Sequence, residues 1–221
     1  MSDICEILMK TQLFSDISKE KIKSMLTCLD CIKREFSAGE TVWHAGEKVA
    51  QIGIVLYGRV YTESCDVWGN TSIISEYKEG SSFGEAYALA KNDLPVFDVV
   101  AKEKTGIVFI DIKKIITPCS NNCNEHKLMV ENLLSTVATK ARELELKMNH
   151  ICSRTTRDKL LSYLSGESRK HGALTFTIPF NRQELADYLS VERCAMSKEL
   201  HKMKRDGLVD FSGREFVLKL G

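Results

Sequence analysis

The sequence predicts an α+β chain: a double-stranded, jelly-roll-like β-roll near the N-terminus, one long helix, and a C-terminal winged helix-turn-helix. Three observations predict it. Between residues 36 and 115, glycines at 39, 46, 53, 58, 69, 80 and 84 punctuate short β-rich runs, as expected of many strands joined by tight turns. From Val130 to Ile151, apolar residues recur in alternating steps of four and three. After residue 180, two short helical patterns flank a break and lead into an alternating hairpin segment.

The N-terminal segment carries Ile4, Ile7 and Leu8, then Ile22, Met25, Leu26 and Leu29, at helical spacing. The strand candidates follow as "TVWHAG", "IGIVLYG", "VYTES", "TSIISEY", "FDVVA" and "GIVFIDI". "WGN" at 68–70 suits a hairpin tip, because Gly69-Asn70 tolerates the positive φ of such turns. The long helix is expected over about 122–151. Its row is Val130, Leu134, Val137, Ala141, Leu144, Met148 and Ile151. A helix packed on its own domain shows a wider stripe. A row this narrow suits a parallel two-helix contact between copies of the chain.

"TRDKLLSYLSGESR" at 156–169 reads as an amphipathic helix. "FNRQELADYL" opens with Asn181 as N-cap and Glu184 three residues on, a capping-box pattern. A break at Ser190-Val191 precedes a second helix over 192–207. Leu185 and Leu189 of the first helix and Met196, Leu200 and Met203 of the second are expected to face the core, and Ala186 allows the two helices to cross closely. "LVDFSGREFVL" alternates around Ser212-Gly213 and reads as a two-stranded wing. In such a motif the second helix enters the major groove. Its outward face carries Glu192, Arg193, Cys194, Ser197 and Lys198. Arginine can grip guanine with two hydrogen bonds. Arg182, Gln183, Lys202 and Arg214 are placed for phosphates, which set register without reading sequence.

Composition bounds the function. With 43% hydrophobic and 28% charged residues, the chain can bury a core. Residues 150–221 hold 13 Lys+Arg against 9 Asp+Glu, which suits a nucleic-acid partner. No apolar run is long enough for a bilayer, and the N-terminus shows no signal-peptide core. The expected location is the cytoplasm, with no membrane partner. The eight cysteines are then expected as thiols. No enzyme is expected: His44 is the one histidine before residue 126, too few for a metal-dependent roll, and no P-loop or Ser-His-Asp set appears.

The chain resembles the catabolite-activator/fumarate-nitrate regulator (CRP/FNR) family of bacterial transcription factors over nearly its whole length. "NRQELADYLSVERCAMSKELHKMKRDGLV" carries the most specific likeness, since "RQELA" matches that family's entry to the helix-turn-helix. "GETVWHAGEKVAQIGIVLYGRV" is similar to its β-roll, and "FGEA" to its cyclic-nucleotide cradle. The resemblance implies a sensor domain at 1–118, a dimerisation helix at 119–151 and a DNA-binding domain at 152–221. It also implies a homodimer on a pseudo-palindromic DNA site, with half-sites roughly 34 Å apart, and RNA polymerase as a further partner. A small effector in the roll would shift the helices. No cofactor is evident.

Departures from the family narrow the expectation. An Arg-Ser pair follows the cradle in cyclic-AMP-binding members; this chain has Pro95-Val96. The adenine-contacting Thr-Ser of those members is replaced by Arg142 and Glu143. A buried phosphate without its arginine lacks its two-pronged partner. The effector is therefore expected not to be cyclic AMP, with Phe83, Gly84, Glu85, Tyr87, Pro95 and Val96 as the pocket candidates. In the reading helix, Cys194 stands where a glutamate reads cytosine, so the operator should differ. The alternative is a redox- or metal-responsive regulator. Cys119, Cys123 and His126 share spacing that would align on a helix, and Cys28 and Cys31 form a C-x-x-C pair.

Overall fold

The computed structural model describes residues 4–65, 68, 71–90, 93–117 and 124–219. Gly69-Asn70, expected at a hairpin tip, and Cys119 and Cys123 lie outside the described residues. Two compact units divide the chain, Met1–Ala138 and Thr139–Gly221.

The first unit opens with helix α1 (Ile4–Leu8), a 3-10 turn (Gln12–Phe14) and α2 (Lys19–Cys28). The roll consists of β1 (Ile32–Phe36), β2 (Thr41–Trp43), β3 (Gln51–Tyr57), β4 (Arg59–Cys65), β5 (Thr71–Lys78), β6 (Ser82–Phe83), β7 (Asp98–Ala101) and β8 (Thr105–Asp111). They pair antiparallel in two four-stranded sheets, β1-β8-β3-β6 and β2-β7-β4-β5. Two short helices, α3 (Glu85–Leu89) and α4 (Ile112–Ile116), interrupt and follow the roll. Neither shows in the sequence, since five residues are too few for a helical period. Strand β1 also begins ahead of the first punctuated run.

Strand β3 shows how the layers are set. Its side chains alternate with period two. Ile52, Ile54 and Leu56 pack with Val108 and Ile110 under the N-terminal helices, while Val55 joins Phe36, Val60, Phe83, Val99, Ile107 and Phe109 between the sheets. Each such burial stabilises by about 1.5–3 kcal/mol. The first part of α5 (Asn124–Ile151) covers the helical layer with Met129 and Leu133. Asn132 fastens it by donating to the carbonyls of Leu13 (3.2 Å) and Ser15 (2.8 Å).

The second unit holds the rest of α5, then α6 (Thr156–His171), β9 (Thr175–Thr177), α7 (Arg182–Tyr188), α8 (Arg193–Arg205), β10 (Val209–Ser212) and β11 (Glu215–Leu218). Leu160, Leu164, Leu185, Ala186, Leu189, Met196, Leu200 and Met203 are fully buried in its core, as their spacing predicts. The wing has three strands rather than two, ordered β10-β11-β9. Phe176 of β9 lies opposite Phe216 of β11, with the rings stacked at 6.4 Å. A three-residue strand carries no readable period; the buried phenylalanine recruits it. Among the described residues, no helix is long and apolar enough to cross a membrane.

Candidate functional site

The helix-turn-helix is built from caps. Asn181 and Glu184 form the expected capping box: Asn181 Oδ1 accepts from the Glu184 N–H at 3.0 Å, and Glu184 Oε2 from the Asn181 N–H at 2.6 Å. Helix α7 ends on Ser190, whose φ of 51° is left-handed, and the Val191 N–H reaches back to the Ala186 carbonyl at 3.0 Å. That closure usually takes glycine. Lys159 of α6 donates to the Leu189 and Ser190 carbonyls at 3.2 and 3.3 Å, steadying the turn. Arg157 reaches from α6 to Glu199 of α8 (3.3 Å) and to Asp206, the residue capping its end (2.6 Å). Nothing local in the sequence marks Arg157 or Lys159, because their partners lie 30 to 49 residues away.

Glu192 is the N-cap of α8. Its carboxylate accepts from the N–H groups of Cys194 (2.7 Å) and Ala195 (2.6 Å), and these two bonds hold its pKa below the usual carboxylate range. Glu192 stays exposed, as its spacing predicts, but its carboxylate is engaged by the cap. Arg193, Cys194, Lys198 and Lys202 stand exposed, and Ser197 is half-buried. Arg193, Lys198 and Lys202 make no ion pair among the described residues. Gln183 donates to Asp187 at 2.8 Å. Arg214 is exposed in the β10–β11 turn. Arg182 is half-buried, its guanidinium over the rings of Phe211 (4.9 Å) and Phe216 (5.0 Å), and burial lowers its pKa.

The cradle turns inward. Phe83 is fully buried between Trp43 (4.9 Å) and Tyr77 (5.6 Å). Its ring fills the space a side chain at Gly53 would need. Gly84 has a φ of 87°, and a Cβ there would strike Trp43. Glu85 is buried. Burial first, and the charge of Glu85 second, raise the Tyr77 phenol. Tyr87 stands edge-on to Phe97 at 5.5 Å. Pro95 is buried, its carbonyl accepting from the Gly46 N–H at 2.8 Å, whereas Val96 is 78% exposed. Trp43 and Tyr77 complete this cluster. The sequence showed them only as strand residues.

The candidate seam of α5 divides. Val130 and Val137 are half-buried against the first unit's own core. Leu134, Leu144 and Met148 are 63–64% exposed, Ala141 is exposed and Ile151 half-buried. The helix packs on its own unit through a different row, His126, Met129, Leu133 and Thr136. Of the cysteine candidates within the described residues, Cys28 Sγ lies 3.9 Å from His126 Nε2. His126 is buried and its Nδ1 has no hydrogen-bond partner among the described residues. Burial, then the Asp30 charge, push the Cys31 thiol up to about 12. Among the described residues, no three metal-ligating side chains converge.

Known proteins match both halves of this arrangement. The family model of the cyclic nucleotide-binding domain matches residues 33–122, and that of the Crp-like helix-turn-helix domain matches 158–220. The transcriptional activator protein FnrL of Cereibacter sphaeroides is 24% identical over 214 residues, covering 87% of this chain and 79% of FnrL. Among solved structures, CprK in complex with OCPA is similar with a TM-score of 0.60 at 17% identity, covering 90% of this chain and 91% of that one. The regulator CLP of Xanthomonas campestris, described as c-di-GMP responsive, gives 0.58 at 15% identity over 92% and 100% of the two chains. With a cyclic-nucleotide-binding-type effector domain ahead of a DNA-binding helix-turn-helix, the chain belongs to the CRP/FNR family of transcription regulators.

Proposed function

We propose that the chain acts as a homodimer that binds a pseudo-palindromic operator and answers to a small effector other than cyclic AMP. The start of α8 carries the DNA part. Arg193 and Lys198 stand exposed there and make no ion pair among the described residues, while the Glu192 carboxylate is engaged in the cap. Arg193 offers the two-pronged donor that guanine accepts, with Ser197 and Lys198 beside it. Gln183, Lys202 and Arg214 serve the phosphates. Cys194 cannot accept a hydrogen bond as a carboxylate does, so the operator departs from those of relatives with glutamate there.

The homodimer is supported by the second row of α5. Leu134, Ala141, Leu144 and Met148 remain exposed while another row meets the core, and such a row finds its match in a second copy. Sedimentation should show a dimer, and Leu144→Asp should halve its mass; an unchanged mass would sink the seam. The effector reading is supported by the cradle, where Pro95 and Val96 supply no charge for a phosphate. CprK is seen in complex with OCPA and CLP is c-di-GMP responsive, so the roll by itself fixes no one effector.

The contact of Cys28 with His126 favours a second reading, in which thiol chemistry supplies the signal. Calorimetric titration of the reduced protein with cyclic AMP and cyclic GMP, after metal analysis of the same sample, separates these. No heat with either nucleotide and no metal is the expected result. Micromolar binding would overturn the effector reading, and stoichiometric metal would favour the cysteines.

A further inference from the structure

Arg182 opens α7, and its guanidinium lies over two rings of the wing, 4.9 Å from the centre of Phe211 and 5.0 Å from Phe216. It has no ion pair or hydrogen bond among the described residues. A half-buried cation without a carboxylate loses hydration with no ionic compensation. The two π faces return part of that loss. They accept none of the five guanidinium N–H donors in its plane.

Phe211 gathers more than Arg182. His201 of α8 stands edge-on to it at 5.4 Å, and the Lys204 ammonium lies 5.4 Å from its centre. Lys204 is paired with Asp210, and His201 Nδ1 is bonded to the Ser197 carbonyl at 2.8 Å. Of these three basic side chains, Arg182 alone has no hydrogen bond or ion pair among the described residues. A planar guanidinium can lie over aromatic faces and still offer its N–H donors to an outside oxyanion.

We propose that Phe211 is a positioning residue for DNA backbone recognition: with Phe216 it forms a shelf that holds Arg182 edge-outward to grip one phosphate of the duplex. This rests on the DNA-binding reading of α7 and α8. A lysine at 182 would keep the charge but not the plane that the shelf orients.

The test is the salt dependence of binding of the full chain to a labelled random-sequence duplex, between about 50 and 200 mM salt. Arg182→Ala should flatten the slope of log K against log salt by about 0.9, the worth of one phosphate. Phe211→Leu should flatten it equally, and the double variant no further. Phe211→Tyr, which keeps the π face, should retain the wild-type slope. A wild-type slope in Phe211→Leu, or equal losses in the Leu and Tyr variants, would overturn the shelf. Thermal melts check that each variant folds. Should Phe211→Leu not fold, Arg182→Lys decides: a flattened slope supports the shelf, and a wild-type slope means charge alone suffices. A wild-type chain with no salt-dependent binding would take down the DNA-binding reading and the shelf with it.

Discussion

Around Gly84, two residues of the Phe83-Gly84-Glu85 turn face inward, one under Trp43 and Tyr77 and the other buried beside Tyr77. At the start of α8, the corresponding motif residues face outward: Arg193, Cys194 and Lys198 are exposed, and Met196 and Leu200 carry the packing instead. The roll thus builds its motif into its core, so that anything sensed there must be felt as packing. Helix α8 divides the two tasks between different side chains, so its outward residues can change with little cost to the fold.

The largest break in that contrast should come from Phe83→Ala. Removing a buried aromatic should cost about 3–5 kcal/mol in urea unfolding. A loss below about 1 kcal/mol would mean that the cradle is not part of the core. Arg193→Ala should do the reverse. Stability should hold within about 0.5 kcal/mol, while discrimination at one base pair falls by about 1–3 kcal/mol. A uniform weakening over all sequences would assign Arg193 to phosphate.

A smaller effect sharpens the account of how the helix is aimed. Ser190 holds the turn at a φ of 51°, where a Cβ is costly, so Ser190→Gly should raise stability by about 1 kcal/mol. An unchanged melting temperature would mean that the Lys159 contacts already offset the strain.

The smallest effect concerns His150, buried in the second unit with Nδ1 bonded to Ser162 at 2.8 Å and packed against Tyr163 and Tyr188. Burial first, aided by Arg169 and opposed by Glu167, lowers its pKa below 6.5. The unfolded chain therefore binds this proton more readily than the folded one, and stability should fall as pH drops through 6.5 toward the folded value. His150→Gln should flatten the unfolding midpoint between pH 7 and pH 5.5; an unaltered slope would place that titration elsewhere.

Local rules alone determined much of this protein. The alternation of β3, the row at Leu185, Leu189, Met196, Leu200 and Met203, and the Asn181–Glu184 box depend on neighbours within a few residues, so period and spacing expose them. The outward stand of Arg193 and Lys198 follows from the same periodicity. Contacts between distant residues decided the rest. Glu192 became a cap because the turn left the N–H groups of α8 open to it. Phe176 drew a third strand into the wing, and Arg182 settled on Phe211 and Phe216. In the α5 row Val130 and Val137 became half-buried because that part of α5 packs on the first unit's core, where Asn132 bonds Leu13 and Ser15, while Leu134, Ala141, Leu144 and Met148 stayed exposed. Periodicity shows which residues share a face; only the packed neighbours decide whether that face is covered.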